Sequence, residues 1–233
     1  GVSSSAGASL RIALIGREAD HRLVYPATLG SLGDAAASLG LNLDVHFFAP
    51  VSLSAGLHEL HLFQGVVLPG GSSMAAVNGQ IRVAEQTLAR GQPTLGLCLG
   101  MQSMMTAAVR RSPGFESAIP AEVAPDEALH SFVPFADGRH RCGVFPFSSG
   151  LIPGDIREMH YNHRYCFNPD LLPALSPGGV RVSAQSDGIV QAVSQPELPF
   201  WHGVQGHPEL MSRPDAPHPL FVAFLQAALN APA

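Results

Sequence analysis

The stretch Thr94-Leu95-Gly96-Leu97-Cys98-Leu99-Gly100-Met101-Gln102 joins an apolar run of strand length to a segment of helix-forming composition. The change of structure falls at Cys98, which has a glycine two residues away on either side. A nucleophile on a sharp strand-to-helix turn occupies strained backbone angles and needs small neighbours, as in the serine version of this elbow. The turn also leaves Cys98 at a helix N-terminus, where backbone N–H groups favour a thiolate. Cys98 is therefore either a nucleophile or a buried structural cysteine, the usual fate of a single thiol.

Strands and helices alternate on both sides of this turn. Apolar runs predict strands at residues 10–16, 43–48 and 65–68, and helical periodicity predicts helices at 26–39 and 75–89. After residue 113 the chain reads as short β-rich pieces at 140–147, 157–167, 180–184, 189–193 and 201–205, followed by a closing helix at 215–229. This order predicts an α/β fold with a mostly parallel central sheet, helices on both faces and a small β-rich portion in the C-terminal half.

Ligands of such sheets bind at the carboxyl ends of the strands. Gly70 and Gly71 follow one predicted strand, and Cys98 follows another. We therefore expect these residues to share one site.

Composition limits what the chain can be. Of 233 residues, 46% are hydrophobic and 13% are charged, which is enough for a sizeable core. We predict a single domain over residues 10–233, with residues 1–9 as a flexible lead-in or a cloning remnant. Three cysteines make no disulfide framework, so the expected location is the cytoplasm.

Charge and hydropathy exclude several functions. The net charge of −5 argues against a nucleic-acid partner, and no apolar run reaches the length of a membrane span. All 13 basic residues are arginine, which excludes a P-loop lysine and Schiff-base chemistry. We predict no cofactor and no metal site.

A second chemical motif, His207-Pro208-Glu209, lies near the end of the chain. Pro208 disfavours the helical conformation at His207, so we expect an extended segment whose side chains at 207 and 209 share one side. Glu209 would then hold one imidazole nitrogen while the other faces a thiol, the arrangement of orienter, base and nucleophile. The alternative is an ordinary core or surface position for His207, which is one of eleven histidines.

Taken together with Pro69-Gly70-Gly71, these two motifs resemble the class I (triad-type) glutamine amidotransferases. The resemblance is strongest to the glutaminase domain of CTP synthase, and it covers most of the chain. It implies the flavodoxin-like fold of that family. The further segments that carry it are Ile12 to Arg17, Gly138 to Gly143, His163-Arg164-Tyr165 with Asn168, Ser212-Arg213-Pro214 and Pro217 to Phe221.

The resemblance implies a glutaminase that hydrolyses the glutamine side-chain amide through a glutamyl thioester. Cys98 would be the nucleophile, His207 the general base, and Glu209 the group that orients His207. Backbone N–H groups of Gly71 and Leu99 would form the oxyanion hole.

The resemblance also implies how substrate is held and which partners are involved. Gly70, Gln102, Arg164 and Tyr165 would bind the substrate, with the forked donors of Arg164 facing the α-carboxylate. The substrate would be glutamine or a related γ-glutamyl compound. The protein partner would be a separate synthase or amidoligase subunit, or a second copy in a homo-oligomer.

Two departures from the family pattern stand out. Residues 72–80 replace a charged lid that serves regulation and coupling in CTP synthases. The family's Thr-Glu-Phe segment, whose carboxylate receives the substrate ammonium, is matched here to His130-Ser131-Phe132, with Asp126 or Glu127 as the expected substitute. Three hypotheses follow: a stand-alone glutaminase, a hydrolase of another γ-glutamyl amide or conjugate, and a binding or regulatory module with a vestigial site.

Overall fold

The computed structural model describes residues 9–50, 57–71 and 73–231. The α-helices of this part of the chain are α1 (Ala27–Leu39), α2 (Val77–Arg90), α3 (Leu99–Arg110) and α4 (Pro219–Asn230). Its strands are β1 (Ser9–Leu14), β2 (Asn42–Phe47), β3 (Gly65–Leu68), β4 (Thr94–Leu97), β5 (Phe132–Pro134), β6 (Arg141–Pro146), β7 (Glu158–His163), β8 (Tyr165–Phe167), β9 (Arg181–Ser186), β10 (Ile189–Ser194) and β11 (Trp201–Val204). Short helical turns cover Asp20–Val24, Leu57–Leu62, Met74–Ala76, Pro169–Gly178 and Pro208–Met211.

The main sheet has the strand order β9-β10-β11-β4-β3-β1-β2 among the described residues. Strands β2, β1, β3, β4 and β11 run parallel, whereas β10 and β9 continue the sheet in antiparallel pairing. Two small antiparallel pairs, β5–β8 and β6–β7, lie outside it. The predicted fold class, a mostly parallel α/β sheet with a small β-rich portion, is confirmed.

Helices cover both faces of the sheet because the parallel strands are apolar on both sides. Side chains of β3 alternate between two buried clusters: Val66 and Leu68 pack toward α2 and α3, whereas Val67 packs toward α1 and α4. None of the described helices is both long enough and apolar enough to cross a membrane.

Glycines let α3 lie against the strands that hold it. A Cβ at Gly96 would come within 2.3 Å of Met104 Sδ, and a Cβ at Gly100 within 1.8 Å of the Leu68 carbonyl oxygen. The Gly-x-Cys-x-Gly spacing is therefore set by the close approach of the helix to β3 and β4.

Some predicted boundaries were wrong. The piece predicted as one strand at 157–167 is two strands with Arg164 between them, and the closing helix begins at Pro219 rather than at 215. The helix begins late because the side chain of His218 caps it, with Nδ1 accepting from the backbone N–H of Leu220 at 3.2 Å. Of the predicted lead-in, residues 1–8 lie outside the described residues, and Ser9 begins β1.

Candidate active site

Cys98 occupies the turn between β4 and α3 with φ +51° and ψ −108°, an unusual conformation for a residue with a side chain. Its backbone N–H donates to the Val204 carbonyl of the neighbouring strand β11 at 2.9 Å, which holds the turn in place. The side chain is not sealed in the core, because Cys98 lines two cavities. The geometry thus agrees with a nucleophile elbow and disagrees with a buried structural cysteine.

His207 connects Cys98 to Glu209. The ring donates from Nδ1 to Glu209 Oε2 at 2.8 Å, so Nε2 is the nitrogen that remains for the Cys98 thiol. His207 and Cys98 line one cavity, and a Cβ added at Gly70 would come close to both side chains. The structure therefore brings Cys98 together with a His–Glu pair that lies more than a hundred positions later in the sequence.

The local conformation at His207 differs from the extended segment predicted from the sequence. Pro208 begins a short 3₁₀ helix that ends at Met211, and His207 is its N-terminal flanking residue. The contact between His207 and Glu209 forms across the first turn of this helix rather than along a strand. The Glu209 carbonyl accepts from Ser31 Oγ of α1 at 3.1 Å, which fixes the turn to the body of the sheet.

The electrostatics of this group favour an imidazolium. Burial alone would lower the pKa of His207, but the hydrogen bonds and charges of Cys98 and Glu209 outweigh burial and raise the pKa to about 10. A protonated His207 beside the Cys98 side chain is suited to donate a proton to a leaving group.

Two glycines allow the preceding loop to pass close to these side chains. A Cβ at Gly70 would lie 3.2 Å from Cys98 Cβ and 3.4 Å from His207 Cε1. Gly71 has φ +76°, a left-handed conformation that favours glycine, and the ring of Tyr25 packs against it.

Gly71 and Leu99 line the same cavity as Cys98. Leu99 is the first residue of α3, so its N–H has no acceptor within the helix. The two residues predicted for an oxyanion hole thus lie on the walls of one cavity next to the thiol.

Two amide side chains form a hydrogen-bonded chain that ends at the thiol of Cys98. Gln205 Nε2 donates to Cys98 Sγ at 3.6 Å, and Gln102 Nε2 donates to Gln205 Oε1 at 3.3 Å. Gln102 was predicted as a site residue, whereas the sequence analysis assigned no role to Gln205. Gln205 could have been identified as a site residue from its position, directly after β11 and two residues before His207.

The first cavity has a volume of about 270 Å³ and contains the predicted residues Gln102, Arg164 and Tyr165. Arg164 is exposed and takes part in none of the ion pairs among the described residues. Its guanidinium is therefore available to an anionic group of a ligand.

Glu122, which the sequence analysis did not name, lines the same cavity. Asp126 and Glu127, the expected substitutes, are not among the cavity-lining residues, and Ser131 is buried against Thr106 at 2.7 Å. Glu122 stands in Ala121-Glu122-Val123, a small-Glu-apolar triplet that was the missed signal. Partial burial raises the pKa of Glu122, as expected for a carboxylate that lacks a cationic partner.

His163 forms a neutral part of the cavity wall. Burial lowers the pKa of His163 to about 4, and its Nδ1 donates to the Tyr165 carbonyl at 2.9 Å. Within the described ranges, no group of three or more His, Cys, Asp or Glu side chains is arranged to hold a metal ion.

Comparison with known proteins places this geometry in a family. The model of the class I glutamine amidotransferase family matches residues 30–227. CTP synthase of Trichormus variabilis is 32% identical over 243 residues, which is 95% of this chain and 44% of that protein. CTP synthase of Clostridium perfringens is 30% identical over 239 residues, with coverage of 94% and 45%. The chain thus spans less than half the length of these curated relatives.

Solved structures show the same fold. The glutaminase domain of Trypanosoma brucei CTP synthase with bound acivicin superposes with a TM-score of 0.87 at 23% identity, covering 96% of this chain and 95% of that chain. A glutamine amidotransferase of Thermotoga maritima superposes with a TM-score of 0.55 at 14% identity, covering 96% of both chains. The prediction of a CTP-synthase-like glutamine amidohydrolase enzyme is confirmed at the level of the family. Since the family model matches most of its length, the chain belongs to the class I glutamine amidotransferases.

Proposed function

We propose that this chain hydrolyses the side-chain amide of glutamine and releases ammonia. One observation carries the proposal: the thiol of Cys98, beside the His207–Glu209 pair, opens onto a cavity that contains both Arg164 and Glu122. The guanidinium of Arg164 and the carboxylate of Glu122 are complementary to the α-carboxylate and α-ammonium of an amino acid. The thiol beside them is the nucleophile for its side-chain amide.

The reaction begins with attack of the Cys98 thiolate on the amide carbonyl carbon. Backbone N–H groups of Gly71 and Leu99 stabilise the oxyanion, a contribution of about 3–4 kcal/mol per donor in other enzymes. His207 gives its proton to the nitrogen as the carbon–nitrogen bond breaks, so that ammonia leaves and a glutamyl thioester remains. Neutral His207 then takes a proton from water, which attacks the thioester and releases glutamate and the Cys98 thiolate.

The charged residues of the cavity give the substrate its orientation. Arg164 binds the α-carboxylate through two parallel hydrogen bonds, and Glu122 binds the α-ammonium. Gln102 and Tyr165 complete the wall around the amino-acid end, and Gly70 leaves room for the side chain at the thiol. Each role is supported by the position of the residue on the cavity or at Cys98.

The ammonia is proposed to serve an acceptor that is activated by a synthase outside these 233 residues. The absence of lysine supports a separate synthase, because these residues offer no P-loop lysine with which to bind a nucleotide. The cysteine content supports a reducing location, the cytoplasm.

Two measurements on the purified protein test the proposal. The first is release of glutamate from glutamine by the wild type and by Cys98→Ala, alone and with a candidate synthase. The second is labelling of Cys98 by a diazoketone analogue of glutamine, which does not depend on a partner. Labelling that glutamine blocks supports the proposal. Absence of both turnover and labelling contradicts it and favours the vestigial binding or regulatory module.

A further inference from the structure

A second cavity also opens at the nucleophile and shares Gly71, Cys98 and Asn162 with the first. It has a volume of about 430 Å³ and is lined by Cys98 together with His207 and Glu209. Arg164 and Glu122 are not among its lining residues. The thiol thus lies at the junction of a charged cavity and a different cavity on the side of the base.

The mechanism of the reaction determines which part of the substrate lies in each cavity. The amino-acid end belongs with Arg164 and Glu122 in the first cavity. The amide nitrogen must lie near His207 to take its proton. A substituent on that nitrogen would therefore extend into the second cavity, which His207 lines.

The lining of the second cavity is apolar at its mouth. Val24, Tyr25 and Leu210 line it while remaining 59%, 45% and 56% exposed, and Pro26 adds a further apolar surface. Among its described lining residues, the carboxylate present is Glu209, which already binds His207, and no arginine is found. An alkyl or aryl group would cover the exposed apolar side chains, whereas a carboxylate would lose hydration with no arginine of the cavity lining to pair with it.

We infer that the second cavity is a subsite for the amine half of N-substituted γ-glutamyl amides with an alkyl or aryl substituent. The inference rests on the proposed function, since it uses the same thioester. Cys98 attacks the carbonyl carbon, the carbon–nitrogen bond breaks, and the amine leaves with a proton from His207. Water then hydrolyses the thioester, so that one amide and one water yield glutamate and the free amine.

The test compares kcat/KM for glutamine, γ-glutamyl-n-butylamide and γ-glutamyl-4-aminobutyrate. The last two differ mainly in that the substituent of one ends in a methyl group and that of the other in a carboxylate. We expect turnover of the butylamide, with a kcat/KM at least about tenfold above that of the carboxylate-bearing amide.

A matched pair of variants locates the effect in the cavity. Val24→Trp fills the mouth, and we expect it to lower the butylamide-to-glutamine ratio of kcat/KM at least about tenfold. Leu23→Trp is the control, because Leu23 is 81% exposed and does not line the cavity. The ratio should stay constant in the control.

The outcomes separate this inference from the proposed function. Turnover of glutamine without turnover of the butylamide overturns the inference and leaves the proposed function intact. Turnover of the butylamide without turnover of glutamine overturns the proposed function and leaves the inference intact. Equal or faster turnover of the carboxylate-bearing amide, or an unchanged ratio in Val24→Trp, overturns the assignment of an apolar amine subsite.

Discussion

At the scale of single residues, Cys98 and Glu209 together raise the pKa of the base, His207. The hydrogen bond and charge of Glu209 are among the effects that hold the pKa of His207 at about 10, against burial, which acts in the opposite direction. A neutral amide at position 209 keeps a hydrogen-bond acceptor but removes the charge, so burial gains influence over the pKa.

We therefore expect Glu209→Gln to lower the pKa of His207 and to reduce kcat/KM for glutamine by about 10²–10⁴-fold, as for orienting carboxylates elsewhere. An NMR titration of the imidazole ring and steady-state kinetics measure the two effects. Glu197→Gln, which changes an exposed carboxylate, is the control. A His207 pKa that stays at about 10 in Glu209→Gln would show that the charge of Glu209 does not raise it.

Glu122 offers a separate prediction at the same scale, because it is the carboxylate among the described residues that line the cavity of Cys98. Glu122→Gln should raise KM for glutamine about 10–100-fold, the loss expected for a hydrogen bond to a charged group, with a smaller effect on kcat. Glu127→Gln is the matched control on the same segment and should leave KM unchanged. A larger effect in Glu127→Gln would return the ammonium site to the residue first expected.

The pH dependence of KM follows from the same carboxylate. Since partial burial raises the pKa of Glu122, this group takes up a proton at a higher pH than an ordinary glutamate. KM for glutamine should therefore rise as the pH falls through that raised pKa, and this rise should be absent in Glu122→Gln.

At the scale of elements, the glycines of the strand-to-helix turn set how close α3 lies to the sheet. We expect Gly100→Ala to destabilise the protein by about 1–3 kcal/mol, because the added Cβ would meet the Leu68 carbonyl at 1.8 Å. Gly33→Ala is the control in α1, where an added Cβ meets nothing within 4 Å. That change should stabilise by about 0.5–1 kcal/mol, since alanine is the better helix former. Urea unfolding measures both, and equal effects of the two would contradict the close approach.

The same elements show what the sequence could predict. The strands β3 and β4 were predicted with their observed boundaries, because each is a short apolar run between turn residues. The break at Arg164 was missed, since a polar residue between two β-rich pieces carries no local signal of a strand end. The helical turn after Pro208 was missed for a related reason: Pro208 restricts His207, but it also suits the first position of a helix.

At the scale of the whole molecule, strand order assembles the site. Strand β11 pairs with β4 in parallel, with Val204 opposite Leu97, so the residues that follow both strands meet at one edge. Local patterns could not reveal this pairing across a hundred residues; the joint resemblance to a family predicted it. Glu122 escaped prediction because it lies outside the regular elements, where periodicity gives no position.

The whole fold also buries histidines that must stay neutral, which makes its stability depend on pH. Burial lowers the pKa values of His163, His202 and His218 to about 4, whereas an unfolded chain titrates them near 6.5. Between these values the unfolded state binds more protons than the folded state. Stability is therefore unaffected by these groups above about pH 6.5 and falls as the pH drops toward 4, on the order of 2–3 kcal/mol per histidine.

His218 allows this to be tested at a single position, because its Nδ1 caps α4 by accepting from the N–H of Leu220. We expect His218→Asn to keep a side-chain acceptor at the cap, since asparagine is a preferred residue there, while removing the titrating group. Urea unfolding from pH 7 to pH 4 should show a shallower loss of stability in His218→Asn than in the wild type. Comparing slopes cancels any packing cost that is independent of pH. The exposed His58, changed to glutamine, should leave the slope as it is. If His218→Asn and the wild type lose stability in parallel, the acid sensitivity of the fold has its origin in other groups.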